Sequence, residues 1–102
     1  MKKISVLFVC LGNICRSPAA EAIFINLLEK NGLSDGFIVD SAGTGSWHIG
    51  KKADSRMRIA AERRDINILS RARQITTKDF EEFNYILAVS YTHLTLPTMF
   101  EV

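Results

Sequence analysis

Cysteine is scarce in this 102-residue chain, with two copies, Cys10 and Cys15, five positions apart. Thiols that close together cannot staple distant parts of a fold, and two are too few for a structural zinc site. A reduced, cytosolic setting is the simplest expectation. An excess of either charge is missing as well: 13 Lys and Arg against 11 Asp and Glu leave a formal +2, mixed in sign along the chain. That balance calls for neither nucleic acid nor an anionic membrane as a partner. Long hydrophobic runs are absent, so no stretch is expected to span a bilayer. Met1-Lys2-Lys3 followed by an apolar run that ends at Cys10 imitates a lipoprotein signal. The run is too short for a signal core, however, and Phe8 and Val9, just before the cysteine, are not small.

What is present is apolar enough, at 47%, for one compact domain. Residues 4–9 are apolar or small without alternation, the pattern of a strand covered on both faces in a parallel α/β sheet. Residues 18–30 read as an amphipathic helix, with Ser17 as N-cap and Pro18 at the first helical position. Ala20, Ile23, Phe24, Leu27 and Leu28 are expected to face the sheet, and Asn31-Gly32 to stop the helix. Between strand and helix lies Cys10-Leu11-Gly12-Asn13-Ile14-Cys15-Arg16-Ser17. A strand-to-helix loop of this kind is an anion site, because unpaired N–H groups and the positive end of the helix dipole converge on it. Cys10 at the strand's end would supply a nucleophile that loses its proton easily, and Arg16 a bidentate guanidinium fork.

Residues 37–40 form a second short strand, parallel to the first by the right-handed crossover rule. Loops after the carboxyl ends of such strands converge on the ligand, so Asp40-Ser41-Ala42-Gly43-Thr44 is expected beside the Cys10 loop. Its glycine-rich continuation carries Trp47, placed either to stack on an aromatic substrate or to pack the loop, and His48. Asp54 and Ser55 can cap a second helix over residues 55–64, whose stripe of Met57, Ala60 and Ala61 opposes a solvated basic face. Thr76 and Asp79 have the spacing of a capping box, Phe80 and Phe83 are core anchors, and residues 85–89 read as a third buried strand. After Ser90 the text loses its stripe and runs into Pro97, with no further α/β unit in view to cover the third strand.

Cys10 followed by five residues and then Arg16-Ser17, after a Val-Leu-Phe-Val strand, resembles the phosphate loop of protein tyrosine phosphatases. The wording Cys-Leu-Gly-Asn-Ile-Cys-Arg-Ser-Pro is similar to the low-molecular-weight family in particular. Supporting matches run through residues 40–44, 47–50, 53–56, 72–76 and 83–88. The resemblance implies an α/β, doubly wound parallel sheet with helices on both faces, incomplete at the C-terminus. It divides the chain into a partial phosphatase domain, 1–89, and a non-family tail, 90–102. It also implies a protein tyrosine phosphatase that hydrolyses phosphotyrosine monoesters, on a protein or a small aryl phosphate, through a phosphocysteine intermediate. Cys10 and Arg16 would be catalytic, and Leu11, Gly12, Asn13, Ile14, Cys15, Arg16 and Ser17 would bind phosphate. Asn13, Ser17 and Ser41 would support the loop, while Leu11, Ile14 and Trp47 would wall the aromatic slot. Cys15 would be the partner of a reversible disulfide with Cys10. No metal or cofactor is implied.

The family's general acid, an aspartate in a late Asp-Pro motif, has no counterpart in these residues, and Ser70-Arg71 stand where the family often has histidine. Impaired turnover is the expectation. The rival expectations are an arsenate reductase of the same fold, which needs further cysteines to pass a disulfide outward, and a non-catalytic oxyanion-binding module.

Overall fold

The computed structural model describes residues 3–13, 16–46, 48–89 and 99–101. β1 (Ile4–Cys10) lies inside a parallel sheet of order β2-β1-β3-β4, with β2 (Phe37–Gly43) on one side and β3 (Tyr85–Ala88) and β4 (Met99–Glu101) on the other. Because neighbours of β1 diverge to either side, its carboxyl end is the switch point of the sheet, where loops part and leave a crevice. Cys10 is the last residue of that strand.

The six residues Ser5 to Cys10 are all buried, as expected of a strand covered on both faces. Side chains alternate along it. Leu7 and Val9 join Ala42 and Ile86 in a core capped by Ile75, Phe80 and Phe83, on the face carrying α3 (Thr77–Glu82). Phe8 turns the other way and meets Phe24 of α1 (Arg16–Lys30) edge to face, and Phe24 meets Phe37 in the same manner. The α/β, doubly wound arrangement with helices on both faces therefore holds. α2 (Ser55–Glu62) packs outside α1, where Ala19, Ala53 and Ile68 form a second cluster with Met57 and Ala61.

Several boundaries differ from the sequence reading. α1 begins at Arg16, so Ser17 is not its cap. The Ser17 hydroxyl is committed to Cys10 and Asn13 instead, and Pro18 still falls in the first turn, where a missing N–H costs nothing. Ile23 and Leu27 are about half exposed, at 47% and 51%, because the inward face is centred on Ser17, Phe24 and Leu28. Asn31-Gly32 does end the helix: Gly32 takes φ +68°, and the N–H groups of Leu33 and Gly32 return to the carbonyls of Leu28 and Glu29. α2 stops at Glu62, two residues early, with Asp54 capping the Met57 N–H. The sheet also has a fourth strand, since the backbone of Met99–Glu101 pairs with β3, while 90–98 and 102 lie outside the described residues. No helix among the described residues is long and apolar enough to cross a membrane.

Candidate active site

Cys10 is 6% exposed, and its sulfur sits among hydrogen-bond donors from its own loop. The Asn13 N–H reaches Sγ at 3.1 Å, and Ser17 Oγ lies 3.0 Å away. Asn13 Nδ2 donates to Ser17 Oγ at 2.7 Å, so the hydroxyl's acceptor side is occupied and its own proton is free to point at a thiolate. The alternative acceptor, the Ala42 carbonyl, is more distant at 3.5 Å. Asn13 adopts φ +56°, a left-handed conformation that asparagine tolerates better than most side chains. That conformation turns its N–H inward.

Parallel pairing brings β2 beside this loop. Cys10 is in register with Gly43, Thr44 N–H donates to the Cys10 carbonyl, and Gly45 N–H donates to that of Leu11. Gly43 is glycine for a spatial reason: a Cβ there would stand 3.0 Å from Asn13 N, Gly12 C and Leu11 O, all of them backbone atoms. On its other side Gly43 donates to the Arg73 carbonyl and accepts from Ile75 N–H, each at 2.7 Å. The loop is thus held from below by β2 and from the side by residues 73–75.

Of the residues expected at the site, Cys10, Asn13 and Ser17 converge in one hydrogen-bonded set. Arg16 opens α1 and is partly buried, Gly12 is partly buried, and Leu11 is 50% exposed. Ile14, Cys15 and Trp47 lie outside the described residues. The Ser41 hydroxyl, expected to support the loop, donates to Glu21 of α1 and makes no side-chain bond to the described residues of the loop. Burial pushes the Glu21 carboxyl up, and Asp40 adds to that push, against hydrogen bonds from Ser41 and Ser70 and the charge of Arg73. A cavity of about 320 Å³ lined by Pro18, Glu21, Asn26, Asp65 and Ser70 adjoins this carboxylate, behind α1.

Sequence reasoning assigned no role to Arg73. Its main-chain N–H donates to Asn13 Oδ1 at 2.9 Å, while its guanidinium binds both Asp79 oxygens at 3.0 Å and reaches Asp40 Oδ2 at 3.0 Å. Burial alone would raise the Asp79 carboxyl, but the Arg73 fork and the Thr76 N–H outweigh it and hold the carboxyl below its ordinary value. The Thr76–Asp79 capping box was the one available signal, since it fixes where Asp79 stands.

A family model described as low molecular weight phosphotyrosine protein phosphatase matches residues 5–101. The chain is 49% identical over 94 residues to the low molecular weight phosphotyrosine protein phosphatase of Schizosaccharomyces pombe, covering 91% of this chain and 60% of that protein. Among solved structures, YfkJ from Bacillus subtilis superposes with a TM-score of 0.84 at 48% identity, over 86% of this chain and 56% of that one. A Drosophila arginine phosphatase superposes with a TM-score of 0.78 at 42% identity, over 86% and 54%. The chain therefore spans little more than half the length of these relatives.

Proposed function

The chain belongs to the low molecular weight phosphotyrosine protein phosphatase family, and from that premise we propose that it hydrolyses aryl phosphate monoesters through a phosphocysteine on Cys10. The observation that carries this reading is the seat of Cys10 Sγ, buried at the end of β1, 3.1 Å from the Asn13 N–H and 3.0 Å from the Ser17 hydroxyl. Those donors face the sulfur, the atom that attacks as the nucleophile. The thiolate attacks phosphorus, the P–O bond to the aryl group breaks, and the aryl oxygen leaves with the electron pair. Arg16, at the start of α1, binds the equatorial oxygens as their charge builds. Water then attacks phosphorus and the S–P bond breaks, releasing inorganic phosphate, a proton and the Cys10 thiolate.

Leu11, Ile14 and Trp47 are proposed to flank the substrate ring, and a phosphotyrosine-bearing protein is the proposed partner. A reducing, cytosolic setting suits a catalytic thiol. All the groups named lie within residues 1–89, and no role falls to 90–102. Because these residues hold no Asp-Pro, protonation of the leaving oxygen is the weak step, and activated aryl phosphates are the substrates best suited to the chain as it stands.

The test is to trap the intermediate: acid quench during turnover of para-nitrophenyl phosphate, followed by tandem mass spectrometry. Phosphate on Cys10 is expected. Turnover with no phosphorylated Cys10, or phosphate on another residue, overturns the reading. A panel of phosphotyrosine and phosphoarginine peptides separates the tyrosine activity named for the yeast relative from the arginine activity named for the Drosophila one.

A further inference from the structure

We propose that Arg73 is a positioning residue for the Cys10 loop, acting through Asn13, with Asp40 and Asp79 as the fixed points from which it works. The proposal rests on the phosphatase reading for its consequence, and its geometry stands independently. Two elements meet at this side chain. Nε and Nη2 lie 3.1 Å and 3.0 Å from Asp40 Oδ2 at the sheet, and Nη1 and Nη2 grip the two oxygens of Asp79 at 3.0 Å each in the first turn of α3. Asp79 is itself 5% exposed and anchored by the Thr76 N–H at 2.7 Å. With both carboxylates in place the guanidinium has little freedom, so the Arg73 backbone is fixed as well.

That backbone is what the loop feels. Its N–H holds Asn13 Oδ1 at 2.9 Å, and its carbonyl takes the Gly43 N–H at 2.7 Å. With Oδ1 held there, the amide's Nδ2 faces Ser17 Oγ at 2.7 Å, which leaves the Ser17 hydroxyl 3.0 Å from Cys10 Sγ and able to donate to it. A continuous path thus runs Asp79, Arg73, Asn13, Ser17, Cys10. Direct field effects do not explain the arrangement, because two carboxylates face one guanidinium and the cluster is net negative, which opposes a thiolate and an anionic ligand. What Arg73 supplies is position. Lysine could satisfy only part of this role, since a point charge cannot hold two carboxylates in one plane.

The experiment uses the whole chain and needs no turnover. Cys10 alkylation by iodoacetamide is followed by tandem mass spectrometry at pH 6 and pH 9, with and without inorganic phosphate, and folding is checked by circular dichroism. The ratio of the two rates reports the thiolate fraction at pH 6 and cancels changes in access. Arg73→Met is expected to lower that ratio and to weaken phosphate protection by about ten- to a hundredfold, the scale on which small misplacements of a site act. Arg73→Lys should recover part of both. Asp40→Asn, which leaves the Asp79 fork in place, should fall between the parent and Arg73→Met, and with Arg73→Lys it carries the test where Arg73→Met does not fold. Combining Arg73→Met with Asn13→Ala should add little to either change alone, because both interrupt one path. Unchanged ratio and protection in folded variants, even with a lowered melting temperature, would show a purely structural role and overturn the proposal. If the parent's Cys10 shows neither reactivity at pH 6 nor protection by phosphate, the phosphatase reading fails instead.

Discussion

Ser41 Oγ donates to a carboxylate oxygen of Glu21, joining the end of β2 to the second turn of α1. This tie joins the helix that follows the Cys10 loop to the strand beside it, so Ser41 and Cys10 are linked through backbone. Asp40, the preceding residue, has its own carboxylate on the Ser41 N–H at 2.8 Å and on Arg73. Two acids therefore share the underside of the loop, and they differ in how they are satisfied.

Glu21 is the strained one. Its folded-state pKa is raised by burial from an ordinary 4.5, so the ionised form costs stability. Below the ordinary value both folded and unfolded chains are protonated and the cost vanishes; it grows as pH rises through the raised folded value and persists at neutral pH. Glu21→Gln keeps an acceptor for the Ser41 hydroxyl and cannot ionise. It should melt higher than the parent at pH 7, with the difference shrinking as pH falls to 4. Equal melting temperatures at pH 7 would show that water already relieves the carboxylate.

Asp79 titrates in the opposite sense. Its pKa lies below the ordinary 3.8, so its contribution is complete above that value and is lost as pH falls through the folded value. Asp79→Asn should lower the melting temperature at pH 7 and become indistinguishable from the parent in strong acid. A gap that stays constant across the titration would mean that shape, not the Arg73 pair, accounts for the loss.

Gly43→Ala tests the contact between β2 and the loop. The added methyl meets three backbone atoms at 3.0 Å, and none of them can swing aside as a flexible side chain would. Overpacking of this kind costs about 1–3 kcal/mol, here by displacing Asn13 and Gly12. Denaturant unfolding should show that loss together with weaker phosphate protection of Cys10. A stable variant with full protection would mean the strands separate freely at this point.

The loop was legible because its signals are local: a buried run, Gly12-Asn13, a cysteine and an arginine six residues apart, then a helix. That β2 runs parallel beside β1 followed from topology, since a helical crossover leaves few options, while its extension to Gly43 did not. Ser17 misled as a cap because a serine before Pro18 has the right spelling, while its hydroxyl has nearer business with Cys10 and Asn13. Ile23 and Leu27 misled because apolar spacing does not say how wide the buried stripe is. Arg73 was invisible as a functional residue for a different reason. Its partners stand 33 and 6 positions away and its link to Asn13 is made by main chain, which any residue type but proline would carry.

The leaving group offers the most direct test of what the chain can catalyse. The proposed nucleophile, Cys10, and Arg16 are both present, so on the proposed reading cleavage of a phosphate with an acidic phenol needs nothing more. A tyrosine oxygen departs poorly without a proton, and loss of a general acid removes about a hundredfold to ten-thousandfold in rate. The carboxyls already placed are poor substitutes. Asp79 is held ionised by Arg73, Asp40 is bound to the same guanidinium, and Asp54 caps α2. The purified chain should therefore turn over para-nitrophenyl phosphate measurably and phosphotyrosine peptides hardly at all, and Cys10→Ser should abolish the former while phosphate still binds. The pH profile with the activated substrate should lack a falling alkaline limb, because no acid must stay protonated. Comparable rates on both substrates, with such a limb present, would place a working acid among these residues and refute the assignment of the weak step.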